Sequence, residues 1–208
     1  KMKYVVYIND TNIQQLLKEH KITYQILQDS ISEDEVLVIS DRKFFTDSTP
    51  IKQIRLIGKD TSNIIQTLQT PSVLVSACIL GHNCSYDGRI APQEFDHLVP
   101  FTTYQIVPFC PEAFSLPTPR PGAQIFYKDG KRIVLTEANV DLTKEFEDGA
   151  LEAFRLCETN GILVAILKKQ SPSCGVTCTE INNVIAAESG MTAKYLKEHN
   201  VLCIESDE

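Results

Sequence analysis

The stretch PSVLVSAC, residues 71–78, decides the fold of this chain. Pro71 favours an extended backbone, and residues 73–76 form a short, mainly apolar run without the alternation of a half-buried strand. Runs of this kind are typical of strands that are buried on both faces of a parallel sheet. The run leads directly to a cysteine, Cys78.

Downstream of this strand, buried strands alternate with amphipathic helices. The runs YQIVP at 104–108 and LVAIL at 163–167 predict two more buried strands, and residues 192–200 predict a helix leading into a last strand at 201–204. Between the second and third strands, helical spacing connects the apolar residues Phe146, Ala150, Ala153, Phe154 and Cys157. The alternation predicts an α/β fold, a mostly parallel, Rossmann-like sheet with helices on both faces.

Residues 1–70 are expected to form a small α/β unit of their own, separate from residues 71–208. Runs rich in β-branched and aromatic residues predict strands at 3–8, 22–27, 36–40 and 54–57. Helical patterns begin at Asp10 or Thr11 and again at residue 61. These residues offer no recognisable chemistry, so the role of the unit stays open.

Composition narrows the class of protein. With 27 acidic against 20 basic side chains, the net charge of -7 argues against binding polymeric nucleic acid and favours a small-molecule partner. No apolar stretch approaches the roughly 20 residues needed to span a bilayer, and residues 1–12 turn polar too early for a secretory signal. We therefore expect a cytoplasmic protein without a membrane segment. Seven cysteines, an odd number, argue against a disulfide framework.

Three of the predicted strands lead to a cysteine, namely Cys78, Cys110 and Cys174. Ligands of open parallel sheets bind beyond the carboxyl ends of the strands, so these thiols are predicted to converge there. Soft thiolates select zinc, copper(I) or iron–sulfur clusters, and three ligands leave one position open. The alternative is that the three are ordinary buried cysteines packed at strand ends.

Five strings in order resemble the motifs of the TudS family, the 4-thiouracil desulfidases, over residues 72–206. They are SACILGHNCSYDG (76–88), VPFCPEAFSLPTPRPGAQI (107–125), NVDLTKEFEDGA (139–150), AILKKQSPSCG (165–175) and GMTAKYLKEHNVLCIES (190–206). The segment 176–189 departs from the family, because it is poor in glycine where relatives are rich in it. The identity of the substrate is therefore left open.

The resemblance implies an oxygen-sensitive [4Fe-4S] cluster on Cys78, Cys110 and Cys174, with one iron that the protein does not bind. It implies that this iron takes the sulfur of a thiolated nucleobase such as 4-thiouracil, whose C=S becomes C=O with release of hydrosulfide. Glu112 is implied to activate water or shuttle protons, and Ser171 to assist at the substrate. The alternative is that Glu112 is a first-turn helix carboxylate or a partner of Arg120, and that Ser171 is an ordinary turn residue.

Several alternatives remain open at the level of sequence. Arg120 either anchors a substrate oxygen or braces Glu112 or Asp141. Cys84 and Cys178 are each candidates for a further ligand, and a fourth ligand at Cys178 would favour a sensor or interaction module over an enzyme. Zinc on the same thiolates would make a hydrolase. Lastly, Tyr86 and Asp87 precede Gly88. They either line the pocket or form a turn.

Overall fold

The computed structural model describes residues 72–90 and 104–206, three short strands nearer the start of the chain, and the helical residues Gln15, Lys18 and Glu19. Its strands are, in chain order, β1 (Tyr4–Tyr7), β2 (Leu37–Ser40), β3 (Lys52–Arg55), β4 (Ser72–Ser76), β5 (Gln105–Phe109), β6 (Ala123–Lys128), β7 (Lys131–Thr136), β8 (Val164–Leu167), β9 (Thr179–Ile181), β10 (Val184–Ala186) and β11 (Leu202–Glu205). Its helices are α1 (Pro111–Ser115), α2 (Thr143–Thr159) and α3 (Met191–Glu198), and a 3-10 turn spans Ala77–Leu80.

The strands β1, β2 and β3 form a small parallel sheet in that order. The strands predicted at 3–8 and 36–40 are confirmed, whereas the one predicted at 54–57 begins two residues earlier, at Lys52. The strand predicted at 22–27 and the helix predicted from residue 61 lie outside the described residues. The division of the chain at residue 70 stays a prediction.

The main sheet has the order β11-β8-β4-β5, and all of its pairings are parallel. The central strands β4 and β8 are buried along their whole length, as their apolar runs predict. The α/β fold with a mostly parallel sheet is thereby confirmed. The prediction that residues 104–108 form a fully buried strand is wrong, because β5 is partly exposed and, among the described strands, pairs only with β4.

Helices α2 and α3 pack together against one face of this sheet. Their buried residues Ala153, Cys157 and Leu196 share one apolar cluster with the strand residues Leu74 and Ala165. Cys157 is thus a packing residue, as the helical spacing indicates. Among the described residues, no helix is both long enough and apolar enough to cross a membrane.

A second sheet, of mixed direction and order β10-β9-β6-β7, is absent from the sequence-based prediction. Two tight hairpins build it, and both turn on residues with positive φ: Asp129 (50°) with Gly130 (75°), and Asn182 (52°) with Asn183 (64°). An Asp-Gly pair between two β-rich segments is a strong hairpin signal, so the sequence does contain an indication of the first of these hairpins. The sheet has a core of its own, which consists of Ile125, Val134, Phe146 and Ile181.

The contact between α1 and α2 is close enough to require glycine. A Cβ atom at Gly149 of α2 would lie 2.1 Å from the carbonyl oxygen of Pro111 in α1. We expect Gly149→Ala to lower the free energy of unfolding by about 1–3 kcal/mol, the usual effect of overpacking, because backbone must move. Urea unfolding of the metal-free chain measures the change.

Leu151→Ala is a matched control for this substitution, since Leu151 is 54% exposed in the same helix. A Gly149→Ala chain that unfolds at the wild-type urea concentration would contradict this account of the α1–α2 contact.

Candidate active site

The three cysteines predicted to converge do meet at one edge of the main sheet. Cys78 lies in the 3-10 turn after β4, Cys110 directly after β5 at the start of α1, and Cys174 in the loop after β8. Because β4, β5 and β8 run parallel, their carboxyl ends point to the same edge. The electrostatic neighbours of Cys174 include both Cys78 and Cys110, which shows how near the three thiols lie.

Two of these thiols are activated by their surroundings. A hydrogen bond with the Cys84 thiol is the main cause that lowers the pKa of Cys78, and the charge of Lys168 acts in the same direction. The pKa of Cys110 falls to about 7, first through a hydrogen bond with Cys84 and then through the N–H of Ala113, 3.5 Å from its sulfur. Thiolates are the form that binds metal, so both shifts favour ligation.

Cys174 is more deeply buried, and its sulfur accepts a hydrogen bond from a different donor. Burial raises the pKa of Cys174, while a hydrogen bond from the Ser76 hydroxyl opposes the rise. The Ser76 oxygen accepts the N–H of Lys168 at 3.0 Å, which leaves its hydrogen free for the Cys174 sulfur. Ser76 is a site residue that the sequence analysis missed, although it lies in the VLVSAC stretch.

Glu112 lies in the first turn of α1, among the thiols. The Arg120 guanidinium donates to its Oε2 from Nη2 at 2.9 Å and from Nε at 3.2 Å, and the Ser171 hydroxyl donates to its Oε1 at 3.3 Å. The Glu112 side chain is 16% exposed, so solvent still reaches it. Its carboxylate is held on both oxygens, and it lies near enough to the three thiols for its negative charge to act toward raising the pKa of each.

Arg120 follows the cis Thr118–Pro119 peptide and is almost wholly enclosed, with 4% of its side chain exposed. All five N–H groups of its guanidinium have protein acceptors, namely Glu112 Oε2 twice, the carbonyls of Pro117 and Cys84, and the Thr118 hydroxyl. Among the alternatives for Arg120, the structure selects the bracing of Glu112. The guanidinium has no donor left for a substrate oxygen.

Ser171 is oriented by the loop that it begins. Its oxygen accepts the N–H groups of Ser173 (3.1 Å) and Cys174 (3.0 Å), so its hydrogen points to Glu112. The same loop packs against the start of α3, where a Cβ at Gly190 would lie 2.7 Å from the carbonyl oxygens of Ser171 and Pro172. Ser171 therefore ties the carboxylate to the Cys174 loop.

Glu205, at the end of β11, fixes the other side of that loop. Its carboxylate accepts the N–H groups of Val176 (2.9 Å) and Thr177 (3.2 Å) and the Thr177 hydroxyl. Lys197 of α3 donates to the carbonyl of Val176 at 2.7 Å. No motif in the sequence indicates these contacts, because they join residues about 20 to 30 positions apart.

The remaining predicted candidates lie around this centre. The Asp87 side chain accepts the N–H of Arg89, and Gly88, with φ of 70°, donates to the carbonyl of Ser85, so this segment forms a turn. Tyr86 is 54% exposed, and its backbone carbonyl accepts the backbone N–H of Arg120 at 2.7 Å. Cys84 is buried beside Cys78 and Cys110, whereas Cys178 is half-buried just before β9.

The donor set fits an iron–sulfur cluster, since soft thiolates are the protein ligands of such centres. A four-iron cluster binds each cysteine through a different iron, so its ligands surround a volume. Each of the three sulfurs also accepts a hydrogen bond from a neighbouring group of the protein. Such hydrogen bonds are typical of thiolate ligands in metal centres.

Comparison with known proteins places these features in a family. The chain is 29% identical over 147 residues to the uncharacterized protein YbbK of Bacillus subtilis, an alignment covering 65% of this chain and 96% of YbbK. The solved structure of TudS, a [4Fe-4S]-dependent thiouracil desulfidase, matches with a TM-score of 0.55 and 36% identity over 65% of this chain and 91% of TudS. The model of the 2-thiouracil desulfurase family matches residues 73–208. This chain belongs to the 2-thiouracil desulfurase family.

Proposed function

We propose that this chain is a [4Fe-4S]-dependent desulfidase that converts the C=S of a thiolated pyrimidine, such as 4-thiouracil, into C=O and releases hydrosulfide. The observation that carries the proposal is the carboxylate of Glu112, which is held on both oxygens and lies near three convergent thiols. A water-activating base beside a thiophilic centre is what this reaction needs. The family and the likeness to TudS support the same conclusion.

Cys78, Cys110 and Cys174 would hold the cluster. When bound, it supplies a thiophilic Lewis acid, an iron without a cysteine ligand, for the sulfur of the substrate. The protein contributes the hydrogen bonds to the ligand sulfurs from Cys84, from the N–H of Ala113 and from Ser76. These bonds favour the deprotonated thiols that ligation requires.

Glu112 acts as the base. Its carboxylate takes a proton from a water molecule, and the water oxygen forms a bond to the thiocarbonyl carbon as the C–S bond breaks. Arg120 and Ser171 fix both carboxylate oxygens, so Glu112 keeps one orientation throughout the reaction. The proton that Glu112 has accepted leaves with the sulfur or to solvent. Overall, C=S and water give C=O and hydrogen sulfide, without oxidation or reduction.

The test is anaerobic reconstitution with iron and sulfide, followed by incubation with 4-thiouracil and, in parallel, 2-thiouracil. We expect brown protein, hydrosulfide in solution and an equal amount of uracil by chromatography. The metal-free chain and a zinc-loaded chain are the controls and should release nothing. A stable cluster without release from either substrate would contradict the desulfidase, and zinc-dependent release would contradict the cluster.

A further inference from the structure

Cys84 is a fourth thiol within this centre. It is buried, with 8% of its surface exposed, and its side chain forms hydrogen bonds with those of both Cys78 and Cys110. It therefore lies between two of the three thiols that the proposed function assigns to the cluster. Cys78 and Cys84 leave the same strand, β4, whereas Cys110 follows β5.

The backbone of Cys84 also belongs to the site. Its carbonyl oxygen accepts an N–H from Arg120 Nη2 at 3.0 Å and the S–H of Cys110 at 3.7 Å. Because Arg120 also binds Glu112, the Cys84 peptide connects the proposed base to the thiols. A small displacement of Cys84 would therefore disturb its contact with Cys110 and, through Arg120, the position of Glu112.

Direct contact with two other thiols identifies which cysteine is not a ligand. Cysteines that bind different irons of one cluster are kept apart by the cluster, so two ligand sulfurs do not share a hydrogen bond. Cys84 makes that contact with both Cys78 and Cys110. Leaving out Cys84 gives three thiols on three separate strand ends, Cys78, Cys110 and Cys174.

We propose that Cys84 is a positioning residue that is not a cluster ligand, and that its S–H donates a hydrogen bond to the ligand sulfur of Cys78 or Cys110. The proposal rests on the part of the proposed function that places a cluster on three cysteines. Hydrogen bonds to ligand sulfurs set the reduction potential of iron–sulfur clusters. A donor stabilises the more electron-rich state, so its loss should shift the midpoint potential to more negative values.

The test compares Cys84→Ala and Cys84→Ser with the wild-type chain after anaerobic reconstitution. We expect full iron content in both variants, a more negative midpoint potential by EPR-monitored titration in Cys84→Ala, and faster bleaching of that variant in air. Cys84→Ser retains a donor, so its potential should lie nearer the wild-type value. Cys178→Ala is the matched control and should leave the potential unchanged.

Loss of iron in Cys84→Ser would overturn the proposal, because it would make Cys84 a ligand. An unchanged potential in Cys84→Ala would overturn it as well, because no hydrogen bond would then reach a ligand sulfur. Neither readout uses turnover, so a wild-type chain that holds a cluster without releasing hydrosulfide refutes the proposed desulfidase and leaves this comparison decisive. A wild-type chain that takes up no iron refutes both.

Discussion

Serine at Cys78, Cys110 or Cys174 is expected to remove most of the iron that the reconstituted chain binds. Wild-type protein should carry about four iron atoms per chain, the content of one [4Fe-4S] cluster. With two thiolates left at three strand ends, the cluster loses one of its three protein attachments, and a serine hydroxyl is a poor ligand for so soft a centre. Iron and sulfide analysis with the absorption spectrum of the reconstituted protein measures the loss.

Cys178→Ser is the matched control for these three variants, because Cys178 follows Cys174 by four residues in the same segment. It should keep both the iron content and the release of hydrosulfide near wild-type levels. If Cys178→Ser lost iron while Cys174→Ser kept it, the proposed ligand set would be wrong. If Cys178→Ser and Cys174→Ser both lost iron, the sensor or interaction module would gain support instead, since a fourth cysteine would then close the site.

Glu112→Gln is expected to leave the cluster intact and to lower turnover by about 10²- to 10⁴-fold, the usual contribution of a general base. Glutamine keeps the size of the side chain and can still accept a hydrogen bond from Arg120, but its amide cannot take a proton from water. The decrease should therefore appear in kcat, with iron content and absorption spectrum unchanged. Single-turnover release of hydrosulfide measures the step directly.

A second glutamate serves as a control for the loss of charge. Glu147 is exposed on α2, and Glu147→Gln makes the same chemical change away from the thiols. Wild-type turnover in Glu112→Gln would contradict the proposed base even with a complete cluster. Loss of iron in Glu112→Gln would indicate that this carboxylate acts in assembly of the centre.

The sequence by itself determined the central strands of the main sheet and the strand ends at which the three cysteines lie. The continuous runs at β4 and β8 have no polar face, so only a strand covered on both sides satisfies them. The helical spacing from Phe146 to Cys157 likewise predicts an amphipathic helix, whose residues Ala153 and Cys157 pack against that sheet. From parallel strands, the meeting of their carboxyl ends follows by geometry alone.

Only the tertiary structure decided which side chains support the thiols and the carboxylate. Local patterns record whether a residue faces a core, but they hold no information on contacts between distant segments. The bond from Ser171 to Glu112 spans 59 residues and that from Arg120 to the Cys84 carbonyl spans 36. The exposure of β5 also depends on its place at the sheet edge, which the order of strands sets and no single strand encodes.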